Sequence, residues 1–174
     1  MSLNSGDSVK TDIQNLIDQF NLVKHPEGGY FKEVYQSREV IAANALSVAV
    51  SGQRSLASSI YFLLPSDDVS RFHRLKFDEI WYYHGGSSLT IVMIDAAGNL
   101  SEHRLGPDCG AGERPQIIIP GGNIFGAFVN RAESYSLVGC LVCPGFDYQD
   151  FELLSRQKML ADYPQHQETI LRLT

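Results

Sequence analysis

The chain is 174 residues long, 44% hydrophobic and 20% charged, with 20 acidic against 14 basic residues and a formal net charge of −6. This suits a single globular domain, and the scattered Arg and Lys argue against nucleic acid, whose phosphates are held by clustered cations. No early basic-then-apolar stretch reads as a secretory signal and no apolar run approaches the roughly 20 residues that span a bilayer, so a cytoplasmic protein without membrane contacts is expected.

Residues 1–10 are polar and read as a loose tail, leaving 11–174 as one domain. From Thr11 the spacing Ile13, Leu16, Ile17, Phe20 predicts a short amphipathic helix. The pattern then changes to short runs rich in Ile, Val, Tyr and Phe: Tyr30–Ser37, Ser58–Leu64, Ser70–Leu75, Glu79–His84, Ser88–Asp95, Leu100–Leu105, Gln116–Ile119, Ile124–Asn130 and Tyr135–Cys143. Turn residues separate them, as in Gly85-Gly86-Ser87, Ala97-Gly98-Asn99 and Pro120-Gly121-Gly122-Asn123. Many short strands predict an all-β sandwich or barrel. Helix returns over Phe151–Tyr163, stopped by Pro164, with a last turn over His166–Leu171. Asp147 and Asp150 are expected to cap that closing helix, Asp150 being the better cap.

The chemistry-bearing stretch is Ser70-x-x-His73 followed by Glu79-x-Trp81. Strand alternation puts Arg71, His73 and Leu75 on one face, and Glu79, Trp81 and Tyr83 on one face. A pocket with a histidine, a carboxylate and several aromatic residues suits a small molecule. Histidine starts near neutral pKa, so His73 is the candidate base, Glu79 its orienting carboxylate, and Tyr83, Tyr61 or Tyr35 a proton return. Glu27, Ser70 and Gln116 are candidate ligand contacts, Trp81 and Phe125 candidate stacking platforms, and Arg71 a candidate anchor for one phosphate or carboxylate. Cys140-Leu141-Val142-Cys143 matches C-x-x-C, but in a strand residues three apart point to opposite faces, so it is read as structural. Apolar Ile80 and Tyr82 on the outer face need cover, which a second copy of the chain would supply.

The region Ser70–Gly86 resembles the first motif of the cupin superfamily, and Pro120-x-Gly122 the second. His25-Pro26-Glu27-Gly28-Gly29-Tyr30 and the ending Pro144-Gly145-Phe146-Asp147-Tyr148-Gln149-Asp150-Phe151 resemble an uncharacterised branch of that superfamily. The resemblance implies a double-stranded β-helix, a jelly-roll barrel, usually dimeric. It also implies metal ligands, but Leu75 stands at the second histidine's place and Phe125 at that of the later histidine. His73 and Glu79 alone leave a metal short of ligands, so no cofactor is expected. The branch is similar in plan to dTDP-sugar 3,5-epimerases, metal-free barrels with a catalytic histidine.

Three functions follow as expectations. The first is a metal-independent epimerase or isomerase of a sugar or sugar nucleotide. The second is a non-catalytic ligand-binding or storage-like barrel. The third is a metal-dependent dioxygenase or isomerase with a reduced ligand set.

Overall fold

A computed structural model describes residues 5–174. Helix α1 spans Ser5–Phe20, so residues 5–10 of the expected tail are helical; residues 1–4 lie outside the described residues. Thirteen strands follow: β1 Val23–Lys24, β2 Tyr30–Gln36, β3 Val40–Ile41, β4 Arg54–Ser55, β5 Ser58–Pro65, β6 Val69–Leu75, β7 Asp78–Gly86, β8 Leu89–Ile94, β9 Leu100–Leu105, β10 Gln116–Ile119, β11 Ile124–Val129, β12 Tyr135–Cys143 and β13 Phe151–Leu153. Helices α2, Arg156–Asp162, and α3, Gln167–Arg172, close the chain.

The strands form a six-stranded sheet in the order β1-β2-β5-β12-β7-β10 and a five-stranded sheet in the order β13-β6-β11-β8-β9, with β3 and β4 paired separately. The two large sheets share a core of inward-facing residues that includes Phe62, Leu64, Trp81, Ile91, Phe125 and Val138. A second cluster, with Phe72, Val92, Ile94, Met159, Ile170 and Leu173, joins the five-stranded sheet to α2 and α3. Strand β8 is therefore covered on both faces. All six of its residues are buried, which explains its unbroken apolar run.

Three expectations change. Phe151–Leu153 is a strand rather than the start of a helix, because it pairs with Leu75–His73 of β6; the helix begins after Ser155, whose hydroxyl accepts from Lys158 N. Asp147, not Asp150, caps a short turn by accepting from Gln149 N. Asp150 is instead buried and bound by Arg54, Nε and Nη2 lying 2.7 and 3.2 Å from its two oxygens.

Candidate functional site

A cavity of about 150 Å³ lies between the sheets. The rings of Phe31, Phe62, Trp81, Phe146, Tyr148 and Phe151 wall it, and His25, Glu27, Glu33, His73, Glu79 and Cys140 supply its polar groups.

Glu27 is placed by the turn that carries it. Gly28 adopts φ +117°, and a Cβ there would meet the Val69 carbonyl oxygen at 2.0 Å, so only glycine allows the segment to lie this close to β6. The Glu27 carbonyl accepts from Arg71 N at 2.8 Å, and Gly29 N donates to Asp68 at 2.9 Å. Held this way, Glu27 is only 5% exposed. Its Oε1 accepts from the Ser70 hydroxyl at 2.9 Å. Its Oε2 lies 3.2 Å from His73 Nε2 and 3.3 Å from His25 Nδ1.

A bulge in β6 makes this grouping possible. Phe125 pairs with His73 but Ala127 pairs with Ser70, so β6 spends three steps where β11 spends two. Ser70 and His73 thus both reach Glu27. Phe72 turns to the outer cluster. Arg71, expected to face the pocket, instead donates from Nη2 to the Pro26 carbonyl at 2.9 Å and does not line the cavity.

His73 is 2% exposed, with its ring 4.0 Å from that of Phe125. Its Nδ1 lies 2.7 Å from the Arg71 carbonyl. A carbonyl only accepts, so Nδ1 carries the proton and Nε2 faces Glu27. Burial pushes the His73 pKa down, against the opposing pull of Glu27. Burial acts on Glu27 in the other direction, but His73, His25 and Ser70 together hold its carboxyl below the usual range.

Glu79 is the contrasting carboxylate. It is buried on β7, where burial first and the Glu27 charge second push its pKa up to about 8, so it is protonated at neutral pH. Trp81 and Cys140 lie beside it and oppose that rise, but among the described residues the buried Trp81 Nε1 makes no hydrogen bond of normal geometry. The carboxylate against His73 is therefore Glu27, and the expected Glu79–His73 orienting pair is replaced, because the turn at Gly28 inserts Glu27 first.

The other expected site residues lie elsewhere. Tyr83 donates to the Gly86 carbonyl at 2.6 Å. Tyr61 packs on Phe20 and His84 on the outer face. Tyr35 is 53% exposed. Gln116 is exposed on β10. Phe125 is core, supporting the imidazole rather than lining the cavity. Cys140 is buried and Cys143 exposed, opposite sides of β12 as alternation requires. Sequence reasoning did not single out His25, Glu33 or Cys140 for this site. His25 stands two residues before Glu27, and the period-two pattern of β2 and β12 carries the other two.

The side chains at the places of the second and later cupin histidines offer no metal ligand. Leu75 lines the wall and Phe125 packs on His73, while one Glu27 oxygen lies between the two ring nitrogens. Among the described residues, no three His, Cys, Asp or Glu side chains are grouped to hold one.

Residues 14–154 match the family model described as Cupin_5, cupin superfamily (DUF985). The chain belongs to this cupin family. It is similar to protein SO0799 from Shewanella oneidensis, 46% identical with TM-score 0.82 over 92% of this chain and 96% of that one. A hypothetical protein from Leishmania major is 34% identical with TM-score 0.83, over 92% and 97% of the two chains. The uncharacterized protein YML079W of Saccharomyces cerevisiae is 29% identical over 86% of this chain and 79% of its own. Oxalate decarboxylase from Bacillus subtilis, 16% identical with TM-score 0.54 over 87% of this cupin and 36% of that chain, shares the fold alone.

Proposed function

We propose that this cupin is a metal-independent acid–base enzyme, an isomerase or epimerase of a small carbohydrate-like carbonyl compound. The geometry that carries this is one cavity holding two buried carboxylates in unlike surroundings. Glu27 lies against His73, His25 and Ser70, and Glu79 beside Trp81 with no cation near it among the described residues, which favours the charged form of the first and the protonated form of the second. Moving a proton next to a carbonyl needs a base at the carbon and donors at the oxygen.

His73 Nε2 and Glu27 Oε2 are two acceptors 3.2 Å apart. They repel until a proton comes between them. A proton taken from the substrate carbon by Nε2 is shared with Glu27, which stabilises the imidazolium. The C–H electron pair moves toward the carbonyl oxygen, where Glu79 donates its proton and Trp81 N–H a hydrogen bond. The imidazolium returns its proton to the neighbouring carbon while the hydroxyl on the first carbon gives its proton to the Glu79 carboxylate, which yields the isomer. The epimer forms when a solvent water delivers the proton to the first carbon from its other face, the enol hydroxyl re-protonates Glu79 and the imidazolium loses its proton to solvent. The Arg71 side chain is engaged at Pro26, which favours a small sugar over a sugar nucleotide as substrate.

The test is solvent-deuterium incorporation into a panel of small aldoses and ketoses, read by NMR. His73→Ala is expected to slow exchange by a factor of about 10²–10⁴ with the fold retained. Exchange unchanged in that variant would sink the proposal. The apolar rings that wall the cavity favour a second reading, a ligand binder without chemistry, which predicts saturable binding and no exchange in any variant. We also infer a homodimer through the outer face of the six-stranded sheet, where Ile118 is 55% exposed and Ile80 and Tyr82 are half-buried.

A further inference from the structure

We propose that the cavity selects small organic cations, with an ammonium group at its mouth against Glu33, and rejects anions. This substrate class rests on the acid–base reading of the same cavity. Three carboxylates, Glu27, Glu33 and Glu79, line the walls, and among the described residues no Lys or Arg side chain does. Of the cations near these residues in the chain, Lys24 pairs with Asp68, Arg71 with the Pro26 carbonyl, Arg74 with Glu152, Arg54 with Asp150, and Lys76 with Asp150 and the Ala49 carbonyl, while Lys32, between Phe31 and Glu33, alternates to the other face of β2. An anionic ligand would bring a second negative charge into a poorly solvated space beside Glu27, with nothing positive to offset it.

The mouth has the complementary chemistry for a cation. Glu33 is exposed on β2, and among the described residues it has no ion pair and no side-chain hydrogen bond. Tyr148, 56% exposed, and Phe146 pack edge to face at 4.9 Å and line the same cavity. Aromatic faces attract ammonium groups through the ring quadrupole, and a carboxylate beside them adds charge attraction. Deeper in, apolar walls of Phe62, Ile60, Leu75 and Val142 flank the buried Glu27, His73 and Glu79. A cavity near 150 Å³ accepts a body the size of one six-membered ring. Such a molecule has an apolar or weakly polar ring inside and a protonated amine outside.

Benzylamine, benzyl alcohol and benzoate share one ring and carry charges of +1, 0 and −1 near neutral pH. Each is titrated onto the full chain, with binding read by ligand-observed NMR and by thermal melting. Benzylamine is expected to bind on the order of tenfold more tightly than benzyl alcohol, and benzoate to show no saturable binding. Glu33→Gln, at an exposed position that leaves the melting temperature unchanged, should shrink the amine preference to about twofold. Benzoate binding as well as benzylamine, equal affinity for all three, or no binding of any of them would each overturn the proposal. So would an amine preference that survives Glu33→Gln intact. The charge ranking and the deuterium exchange are separate readouts. Lost ranking with His73-dependent exchange rejects only the substrate class, whereas retained ranking with no exchange rejects only the acid–base chemistry.

Discussion

Two glutamates of the same site, Glu27 two residues after His25 and Glu79 six after His73, behave in opposite ways because of what surrounds each. Glu27 is met by His73, His25 and Ser70, all able to favour its charge. Glu79 is buried with Trp81 and Cys140 beside it and with Glu27 as a like charge. The stability consequence has a definite sign. Glu79 keeps its proton in the folded state up to about pH 8, whereas its ordinary value is 4.5. Between those values the folded state binds the extra proton, so stability falls as pH rises across that window, by up to roughly 4–5 kcal/mol. Glu79→Gln mimics the protonated acid and should flatten this loss. Urea denaturation at pH 6 and pH 9 checks it: the wild type should lose several kcal/mol more than the variant, and parallel losses would show that Glu79 is not held protonated. The same titration predicts deuterium exchange that declines above pH 8, as the acid is spent.

At the scale of elements, the site depends on one irregular strand and one connecting segment. The bulge in β6 lets Ser70 and His73 share a face while Phe72 anchors the C-terminal helices. The segment 37–57, carrying β3 and β4, is fastened to the wall of the cavity through Arg54. That side chain is 3% exposed, binds Asp150 and also donates from Nη1 to the Ser51 carbonyl at 2.7 Å. Asp150 immediately precedes β13, whose Phe151 lines the cavity. Arg54→Ala leaves a buried carboxylate with only Lys76, 3.3 Å away and 40% exposed, as its cation. A hydrogen bond to a charged group is worth about 1.5–3 kcal/mol, so a loss near 2 kcal/mol is expected. Native-state proteolysis should cut the variant within 37–57 faster than the wild type. Wild-type cleavage rates there would mean the segment is held by other contacts.

At the scale of the whole molecule, the two sheets are covered unequally. Helices α2 and α3 seal the outer face of the five-stranded sheet, bringing Ile170 and Leu173 to 0% exposure. The outer face of the six-stranded sheet has Phe20 of α1 on Tyr61 but leaves Ile118 open and Ile80 and Tyr82 half-buried. A second copy placed there would bury the remainder. Sedimentation equilibrium should report about twice the 19.3 kDa of one chain, and Ile118→Lys should shift the population toward monomer. A monomer in the wild type at micromolar concentration would reject this interface.

The sequence by itself determined most of the strands. Leu100–Leu105, Gln116–Ile119 and Tyr135–Cys143 agree with the structure to the residue. Period-two patterning and turn residues are local signals, readable without knowing the partner strand. The same alternation placed His73, Glu79 and Trp81 in one cavity and separated Cys140 from Cys143. Tertiary structure decided the rest. Arg71 was displaced from the pocket by a bulge that exists only in the pairing of β6 with β11. Phe151–Leu153 became a strand because β6 offered an edge, and Asp150 became the partner of an arginine 96 residues earlier. Glu27 took the place expected for Glu79 because Gly28 lets its turn lie against β6. Each of these depends on which backbone approaches which, and a close approach between distant segments leaves no periodic trace in the chain.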